Sequence, residues 1–292
     1  MIEQKYIVGL GEALWDVLPQ GKQIGGAPAN FAYHVQQFGL PVRVVSAVGP
    51  DTLGQEILDV FCTRAIPAVV PVVNYPTGTV QVTLDASGVP SYEIKTGVAW
   101  DYIPFTPELE ALAHQTRVVC FGSLAQRSEV SRTTIHRFLD AMPDNEDVLK
   151  VFDINLRQQF YSAEIIQSSL RKSNVLKIND EELALVSQLF GYDEASQEAQ
   201  ARRLLNDYQL KIVILTCGEE GSYIFTSSES SCLDTPHVDV VDTVGAGDSF
   251  TAAFVAACLQ GQSVAEAHRT AVRVSAYVCT QPGAMPDIRH TL

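Results

Sequence analysis

Positive charge is scarce in this sequence. Of its 292 residues, 20 are Lys or Arg and 34 are Asp or Glu, which gives a formal net charge of −14. Binding to a nucleic-acid backbone needs clustered cations, so the composition argues against a general nucleic-acid binder. Binding of a small polyanionic ligand is still compatible with this composition, because a few cations, backbone amides and a metal ion suffice for it.

Long apolar runs are lacking too. No segment reaches the roughly 20 apolar residues that span a bilayer. The start, MIEQK, has none of the features of a secretory signal. Six cysteines are scattered without a CxxC pair, which argues against a cysteine metal site and predicts reduced thiols in the core. We therefore expect a cytoplasmic globular protein with no membrane partner.

Short apolar runs alternate with longer amphipathic stretches along the chain. This alternation predicts a mostly parallel sheet covered by helices on both faces, within a single domain over residues 1–292. The predicted strands are residues 6–10, 42–48, 117–121, 148–153, 175–178 and 211–216, and the predicted helices are residues 27–37, 53–65, 131–141, 180–189, 194–207, 246–260 and 263–280.

Two segments, residues 13–24 and 77–94, interrupt this rhythm. The second segment is typical of a β-hairpin whose turn, residues 85–88, contains a glycine. Together the two segments predict a small second sheet, with lid segments near 13–24 and 77–100. Such a sheet either closes over an active site or is a peripheral hairpin without a catalytic role. Its exposed edges also allow a homodimer.

The strongest chemical signal is the string DTVGAGDSF at residues 242–250. Small residues allow close approach of the backbone to a ligand, and the amides of the following helix N-terminus favour an anion. Such a site suits a transferring phosphoryl group, and Asp248 is placed to accept a hydroxyl proton beside it. The alternative is that Asp248 or Ser249 only caps the helix.

A second signal, GGAPAN, occupies residues 25–30. The two glycines permit a sharp turn, and Pro28 suits the first turn of a helix. The amide of Asn30 offers donors and an acceptor, which suits sugar hydroxyls. Taken alone, this string is equally compatible with an ordinary turn followed by a helix.

These two strings resemble the C-terminal and N-terminal signatures of the PfkB family of ribokinase-like carbohydrate kinases, and the resemblance covers essentially the whole chain. It implies a ribokinase-like three-layer α/β/α sandwich with a small β-sheet lid, and transfer of the γ-phosphate of ATP to a sugar hydroxyl. Asp248 would be the catalytic base, and the amides of Gly245, Ala246 and Gly247 would form the anion hole. The Walker A and Rossmann patterns are missing, which counts against an unrelated nucleotide-binding protein.

On the sugar side, the resemblance assigns three residues. GLGEALWD at residues 9–16 resembles the opening strand of the family, with Asp16 in the position of its sugar-binding aspartate. Gly26 and Asn30 would also bind the sugar. DINLR at residues 153–157 resembles a segment near the phosphates, and Arg157 would neutralise charge there. The three polar side chains of that segment would face one way if the strand continued, and the alternative for Arg157 is a surface salt bridge.

On the nucleotide side, NDEE at residues 179–182 resembles the family's Asn-x-x-Glu motif. Asn179 would contact the nucleotide, and Glu182 would hold Mg²⁺ through water. A helix cap is an alternative that can hold at the same time. Thr216, Gly218 and Gly221 are further nucleotide candidates, although Gly221 also suits a simple hairpin turn.

A monovalent cation, K⁺, is implied near the start of the phosphate-binding string. The resemblance places the backbone carbonyls of Asp242 and Val244 around it, completed by a loop at residues 283–284.

Three features bear on which sugar is bound. The GGAPAN, GEALWD and AWD strings resemble those of fructokinases. Residues 13–24 and 77–94 contain only Lys22 as a cation, whereas a sugar phosphate would call for several. We therefore expect ATP and free fructose as the substrates. Ribose, ketodeoxygluconate and a nucleoside are the alternatives within the family. A non-catalytic sugar-binding relative is disfavoured by the intact GAGD.

Overall fold

The computed structural model describes residues 5–18, 21–84 and 90–291. The strands are β1 Tyr6–Leu10, β2 Leu14–Leu18, β3 Gly21–Gly25, β4 Val42–Val45, β5 Ala68–Val69, β6 Gly78–Leu84, β7 Pro90–Ile94, β8 Thr116–Phe121, β9 Leu149–Asp153, β10 Val175–Asn179, β11 Ile212–Thr216, β12 Ser222–Thr226 and β13 Ser230–Leu233. The helices are α1 Ala27–Gln37, α2 Thr52–Thr63, α3 Pro107–His114, α4 Glu129–Ala141, α5 Ala163–Lys172, α6 Asp180–Phe190, α7 Gln197–Asp207, α8 Ala246–Leu259 and α9 Val264–Cys279.

Nine strands form the main sheet in the order β13-β12-β11-β10-β9-β8-β1-β4-β5. All of its neighbouring pairs are parallel except those made by β12 and β13 at one edge. Consecutive residues of one strand, such as Ile7 and Val8, are both buried but belong to different hydrophobic clusters. The sheet is thus covered by apolar packing on both faces, as the continuous apolar character of its strands requires.

Helices supply the outer layers. One cluster contains buried residues of α3 to α7, and the other contains buried residues of α1, α2, α8 and α9. The predicted three-layer α/β/α arrangement with a mostly parallel central sheet is therefore confirmed. Within the described ranges, no helix is both long and apolar enough to cross a bilayer.

A second, four-stranded sheet has the order β3-β2-β6-β7 and confirms the predicted small sheet. The predicted hairpin turn at residues 85–88 lies outside the described residues. The sheet rests on Trp100, which is 1% exposed, and a Cβ at Gly78 of β6 would lie 2.2 Å from its Nε1. Beside it, Arg127 pairs with Asp101 through Nε and Oδ1 at 2.8 Å and donates to the carbonyl of Lys95 just after β7. These contacts attach one end of the small sheet to the body.

Several elements differ from the sequence expectation. Strand β4 ends at Val45, and beyond it an isolated bridge joins Val48 to Val72. Helix α7 begins at Gln197 because the side chain of Ser196 caps it. No predicted element corresponds to β5, β12, β13, α3 or α5.

The cysteine expectation was also partly wrong. Cys120 and Cys217 are buried, but Cys62 and Cys232 are exposed, so the thiols are not uniformly part of the core.

Candidate active site

The carboxyl ends of the parallel strands meet at one edge of the main sheet, where open α/β sheets bind their ligands. Asp153 ends β9, Asn179 ends β10 and Thr216 ends β11. Asn179 and Thr216 are direct partners in the ladder between β10 and β11. Two residues assigned to the nucleotide from separate motifs are therefore neighbours in the fold.

The first turn of α8 carries the GAGD string. Gly245 caps this helix with φ +78°, and a Cβ there would lie 2.8 Å from Ala284, so the position needs glycine for both reasons. Helix geometry leaves the amides of the first turn without intrahelical acceptors. The amide of Ala246 donates at 3.2 Å to the carbonyl of Thr243, and it is thus less available to an anion than the sequence analysis expected.

Asp248 lies in that first turn and is tied to the other signature. Its Oδ2 accepts a hydrogen bond of 2.8 Å from Nδ2 of Asn30, 218 residues away in sequence. Burial raises the pKa of Asp248 to about 6, and the negative charge of Asp153 adds to the rise. The bond from Asn30 and the positive charges of Lys177 and Arg157 act in the opposite direction. Asp248 is thus ionised at neutral pH yet titrates close to it, as suits a general base.

This raised pKa predicts the acid side of the pH–rate profile. A base must be ionised to accept a proton, so kcat should fall about tenfold per pH unit as the pH drops below about 6. Turnover measured from pH 5 to 8 at saturating substrates checks this. A kcat that stays level down to pH 5 in folded protein would contradict the assignment.

The glycine turn before α1 brings the sugar-side residues together. A Cβ at Gly25 would lie 2.3 Å from Oδ2 of Asp16, and one at Gly26 would lie 2.3 Å from the carbonyl oxygen of Glu12. Gly26 has φ +110°, which also favours glycine. Burial raises the pKa of Asp16 to about 6, while the positive charge of Arg157 opposes the rise. The fold therefore places Asp16, on β2 of the small sheet, against the turn that leads to Asn30.

Lys177 is a charged residue that the sequence analysis missed. It lies in the middle of β10, is 7% exposed, and its Nζ is 3.4 Å from Oδ1 of Asp153. A Cβ at Gly247 would lie 2.9 Å from that Nζ, so the ammonium group sits beneath the anion-binding turn. Although burial alone would lower it, the negative charges of Asp153, Glu182 and Asp248 raise the pKa of Lys177. A lysine inside an apolar strand was the available signal, because buried lysines are rare and paired.

Glu12 was missed as well. It follows β1, is 2% exposed, and its Oε2 is buried without a hydrogen-bond partner among the described residues. Burial raises the pKa of Glu12 to about 7, and the negative charge of Asp248 adds to the rise. Backbone amides, including that of Ala27, and the positive charge of Arg157 oppose it. The residue belongs to the GEALWD string, from which only Asp16 was taken.

The DINLR segment does not continue as a strand. β9 ends at Asp153, and Asn155 has φ +40°, so the condition under which the three polar side chains would face one way is not met. Asp153 instead turns into the core, where it also accepts a hydrogen bond from Thr251 at 3.2 Å. Arg157 is exposed, and no ion pair within 4.0 Å includes it in the described part of the chain. The positive charge of Arg157 nevertheless opposes the rise in the pKa of Asp16 and of Asp248, so Arg157 lies near the site.

Asn179 and Glu182 form a capping box at the start of α6. The amide of Glu182 donates to Oδ1 of Asn179 at 2.7 Å, and the amide of Asn179 donates to Oε2 of Glu182 at 2.9 Å. The other oxygen of Glu182 accepts from the amide of Leu156 at 2.8 Å. The capping role is therefore present. Across the described ranges, no three His, Cys, Asp or Glu residues converge to hold a metal ion.

The remaining nucleotide candidates lie in loops beside this edge. Gly218 begins the tight turn between β11 and β12, and the amide of Cys217 donates to the carbonyl of Gly221 across it at 2.8 Å. Gly221 thus has the hairpin position that was its alternative. Nearby in sequence, between β13 and α8, four valines are unusually exposed, namely Val238, Val240, Val241 and Val244.

The loops expected around a monovalent cation are in contact. Oδ1 of Asp242 accepts from the amide of Val244 at 3.0 Å, and its Oδ2 accepts from the amide of Gly283 at 3.1 Å. The carbonyl of Ala284 accepts from Nε2 of His34 at 2.8 Å.

The site has an ionisable base at the N-terminus of α8 and a buried cation beneath that helix end, and the small sheet lies next to both. These features indicate a phosphotransferase that acts on a small molecule. A sequence model of the pfkB family carbohydrate kinases matches residues 12–291. The chain belongs to this family and is a carbohydrate kinase.

Individual proteins that the chain resembles are also named as kinases of sugars or sugar phosphates. An ATP-dependent 6-phosphofructokinase from Thermoanaerobacterium thermosaccharolyticum is 29% identical, with 98% of this chain and 92% of the relative covered. Probable fructokinase-4 from Arabidopsis thaliana is 28% identical, with 98% and 94% covered. Among solved structures, a fructokinase with bound ATP from Xylella fastidiosa superposes with a TM-score of 0.83 at 23% identity, covering 97% of this chain and 94% of that one.

Proposed function

We propose that this kinase transfers the γ-phosphate of ATP to a hydroxyl of free fructose. The observation that carries the proposal is the hydrogen bond between Asn30 and Asp248, because it joins a sugar-binding amide to an ionised base at an anion-binding helix N-terminus. Asp16 stands next to the same turn on the small sheet. One site thus combines groups for hydroxyls, for a proton and for a phosphoryl group.

In the proposed mechanism, Asp16, Gly26 and Asn30 hold the sugar while Asp248 takes the proton from the attacking hydroxyl. The amides of Gly245 and Gly247 bind the transferring phosphoryl oxygens, and that of Ala246 joins them by giving up its bond of 3.2 Å to the carbonyl of Thr243. Two cations, Lys177 and Arg157, stabilise the negative charge that spreads over that group. The small sheet acts as a lid that excludes water, which would otherwise accept the phosphoryl group.

The nucleotide side fits ATP in the same way. The phosphates would lie against α8 and Lys177, with Asn179, Thr216, Gly218 and Gly221 along the strand ends. The exposed valines before α8 offer an apolar surface for a base. Mg²⁺ would be held by the phosphates of ATP and, through water, by Glu182, and would neutralise phosphate charge. Carbonyls of Asp242 and Val244 would hold K⁺.

A free sugar is favoured over a sugar phosphate because the cations of the small sheet are already engaged. Lys22 pairs with Glu56 of α2, and Lys95, just after β7, pairs with Glu93 at 2.6 Å. Arg127 is committed to Asp101. A second phosphate needs several available cations, and these three side chains do not supply them. We also propose that the enzyme works in the cytoplasm and pairs as a homodimer through the edges of the small sheet.

The second candidate substrate is fructose 6-phosphate, which the 29% identical 6-phosphofructokinase favours. We expect ADP release, measured with purified protein, Mg²⁺ and K⁺, to be fastest with fructose in a panel that includes fructose 6-phosphate, ribose, ketodeoxygluconate and adenosine. On the charge argument, kcat/KM for fructose should exceed that for fructose 6-phosphate by at least tenfold. The reverse order would discard the free-sugar assignment and keep the kinase.

A further inference from the structure

Two buried polar atoms in the wall of the proposed sugar site have no hydrogen-bond partner among the described residues. They are Oε2 of Glu12 and Oδ1 of Asn30, whose residues are 2% and 3% exposed. A buried oxygen without a partner costs free energy, so such atoms are expected to be satisfied in the working enzyme. Asn30 bonds directly to Asp248, and the negative charge of Asp248 acts on Glu12.

The state of Asp248 decides what Asn30 needs. As a base, Asp248 is ionised and can only accept, so the amide of Asn30 must present Nδ2 to it. That orientation, with Nδ2 and Oδ2 at 2.8 Å, leaves Oδ1 of Asn30 as an acceptor that requires a donor. The backbone amide of Asn30 itself does not supply this donor, because it donates to the carbonyl of Gly26 at 3.0 Å.

Glu12 and Asn30 meet at the glycine turn before α1. A Cβ at Gly26 would lie 2.3 Å from the carbonyl oxygen of Glu12, and the backbone amide of Asn30 donates to the carbonyl of Gly26 at 3.0 Å. The carboxyl group of Glu12 also accepts from the backbone amide of Ala27, the first residue of α1. An ionised Glu12 would bring a second acceptor to this wall, whereas a protonated Glu12 brings the donor that Oδ1 of Asn30 requires.

We propose that Glu12 is a positioning residue that works in its protonated form, donating a hydrogen bond, directly or through one water, to Oδ1 of Asn30 and so fixing the amide that holds the base Asp248. One proton then satisfies both unpaired atoms. This inference rests on the proposed function, because it concerns the sugar site of the same kinase.

The charges around Glu12 support that protonation state. Asp248 faces it from α8 and disfavours a second negative charge, while Arg157 faces it from the loop after β9 and favours one. The Cys120 thiol on β8 interacts electrostatically with Glu12, and also with Asp153 and Lys177. Asp153 and Lys177 form an ion pair with each other. Burial outweighs the backbone amides and Arg157 and raises the pKa of Glu12 to about 7, so Glu12 keeps its proton near neutral pH after Asp248 has lost its own.

The first test compares Glu12→Gln with Glu12→Met, using the sugar that the wild-type enzyme phosphorylates best. Gln is neutral and keeps a donor, so kcat/KM at pH 6.5 should stay within about threefold of wild type. Met is also neutral but has no donor, so kcat/KM should fall by about 10- to 100-fold, as for loss of a buried hydrogen-bond partner. Wild-type kcat/KM should also decline above about pH 7, and Glu12→Gln should abolish that decline. Equal kinetics and pH profiles for folded Glu12→Met and wild type would overturn the proposal, as would equal losses in both variants.

The second test needs no substrate and separates this inference from the proposed function. With ¹³C-labelled glutamate carboxyls, the Glu12 signal is identified by its disappearance in Glu12→Gln and is then titrated. We expect a midpoint near pH 7, which moves down in Asp248→Asn because a negative charge is removed. A Glu12 midpoint near the ordinary value of about 4.3 would overturn the proposal even if the enzyme phosphorylates fructose. If no sugar is phosphorylated, this titration still decides whether Glu12 holds the proton.

Discussion

Asp248→Asn should lower kcat by roughly 10²- to 10⁴-fold, the usual loss when a general base is removed. The substitution keeps the shape of the side chain and an oxygen that can accept the hydrogen bond from Nδ2 of Asn30. Sugar binding measured by calorimetry should therefore change little. Steady-state ADP production with ATP and sugar at saturation gives the size of the loss.

The control for Asp248→Asn is its stability. The pKa of Asp248 is raised in the folded protein, so the ionised carboxylate destabilises the fold above the unfolded pKa, and this cost is complete above about pH 6. At pH 8 the Asn variant should thus melt no lower than the wild type. A folded variant that keeps near-full turnover would remove Asp248 from the mechanism.

Lys177→Met is the second substitution with a large expected effect. Nζ of Lys177 lies beneath Gly247, where the phosphoryl group is proposed to sit, so its removal should lower kcat by about 10²- to 10³-fold. The fold should suffer too, because Asp153 is 4% exposed and would keep a buried charge without its partner. Removing one member of a buried ion pair typically costs about 3–5 kcal/mol of the free energy of unfolding.

A double variant separates the two effects of Lys177→Met. Adding Asp153→Asn removes the stranded charge and keeps an oxygen for Thr251, so denaturant unfolding should show most of the lost stability restored. Turnover should stay low, because the cation is still missing. Recovery of wild-type turnover in the double variant would show that Lys177 only stabilises the fold.

Much of the fold could be predicted because the positions of glycine, proline and charged residues and the hydrophobic periodicity agree with it. β1 and α1 begin and end at the predicted residues, since a charged start, two glycines and Pro28 mark their limits. The missed elements lack such marks. Helix α5 is short, and the capping by Ser162 shows only in the structure. Strand β13 lies at the sheet edge and pairs only with β12 among the described strands, while β12 pairs antiparallel with β11, so both depend on contacts that the local sequence does not show.

The site was predictable where a string of residues carries it and not where the fold assembles it. Asp248 and Asn30 were each chosen from a motif, and the structure brings them within 2.8 Å. Lys177 is visible in the sequence as a lysine in an apolar strand, but its role is not. Its position beneath Gly247 exists only once β10 and α8 are packed together. Glu12 was not predicted either, because its burial next to α1 depends on the glycine turn at residues 25–26, which forms only in the folded chain.

We propose above all that this chain transfers the γ-phosphate of ATP to a hydroxyl of free fructose, with Asp248 as the base. Phosphorus NMR of the purified protein with Mg²⁺, ATP and fructose tests it most directly. We predict that a sugar monophosphate resonance grows as fast as the γ-phosphate of ATP declines, and that Asp248→Asn nearly abolishes both changes. Release of inorganic phosphate without a sugar phosphate, or equal transfer by Asp248→Asn, would contradict the account.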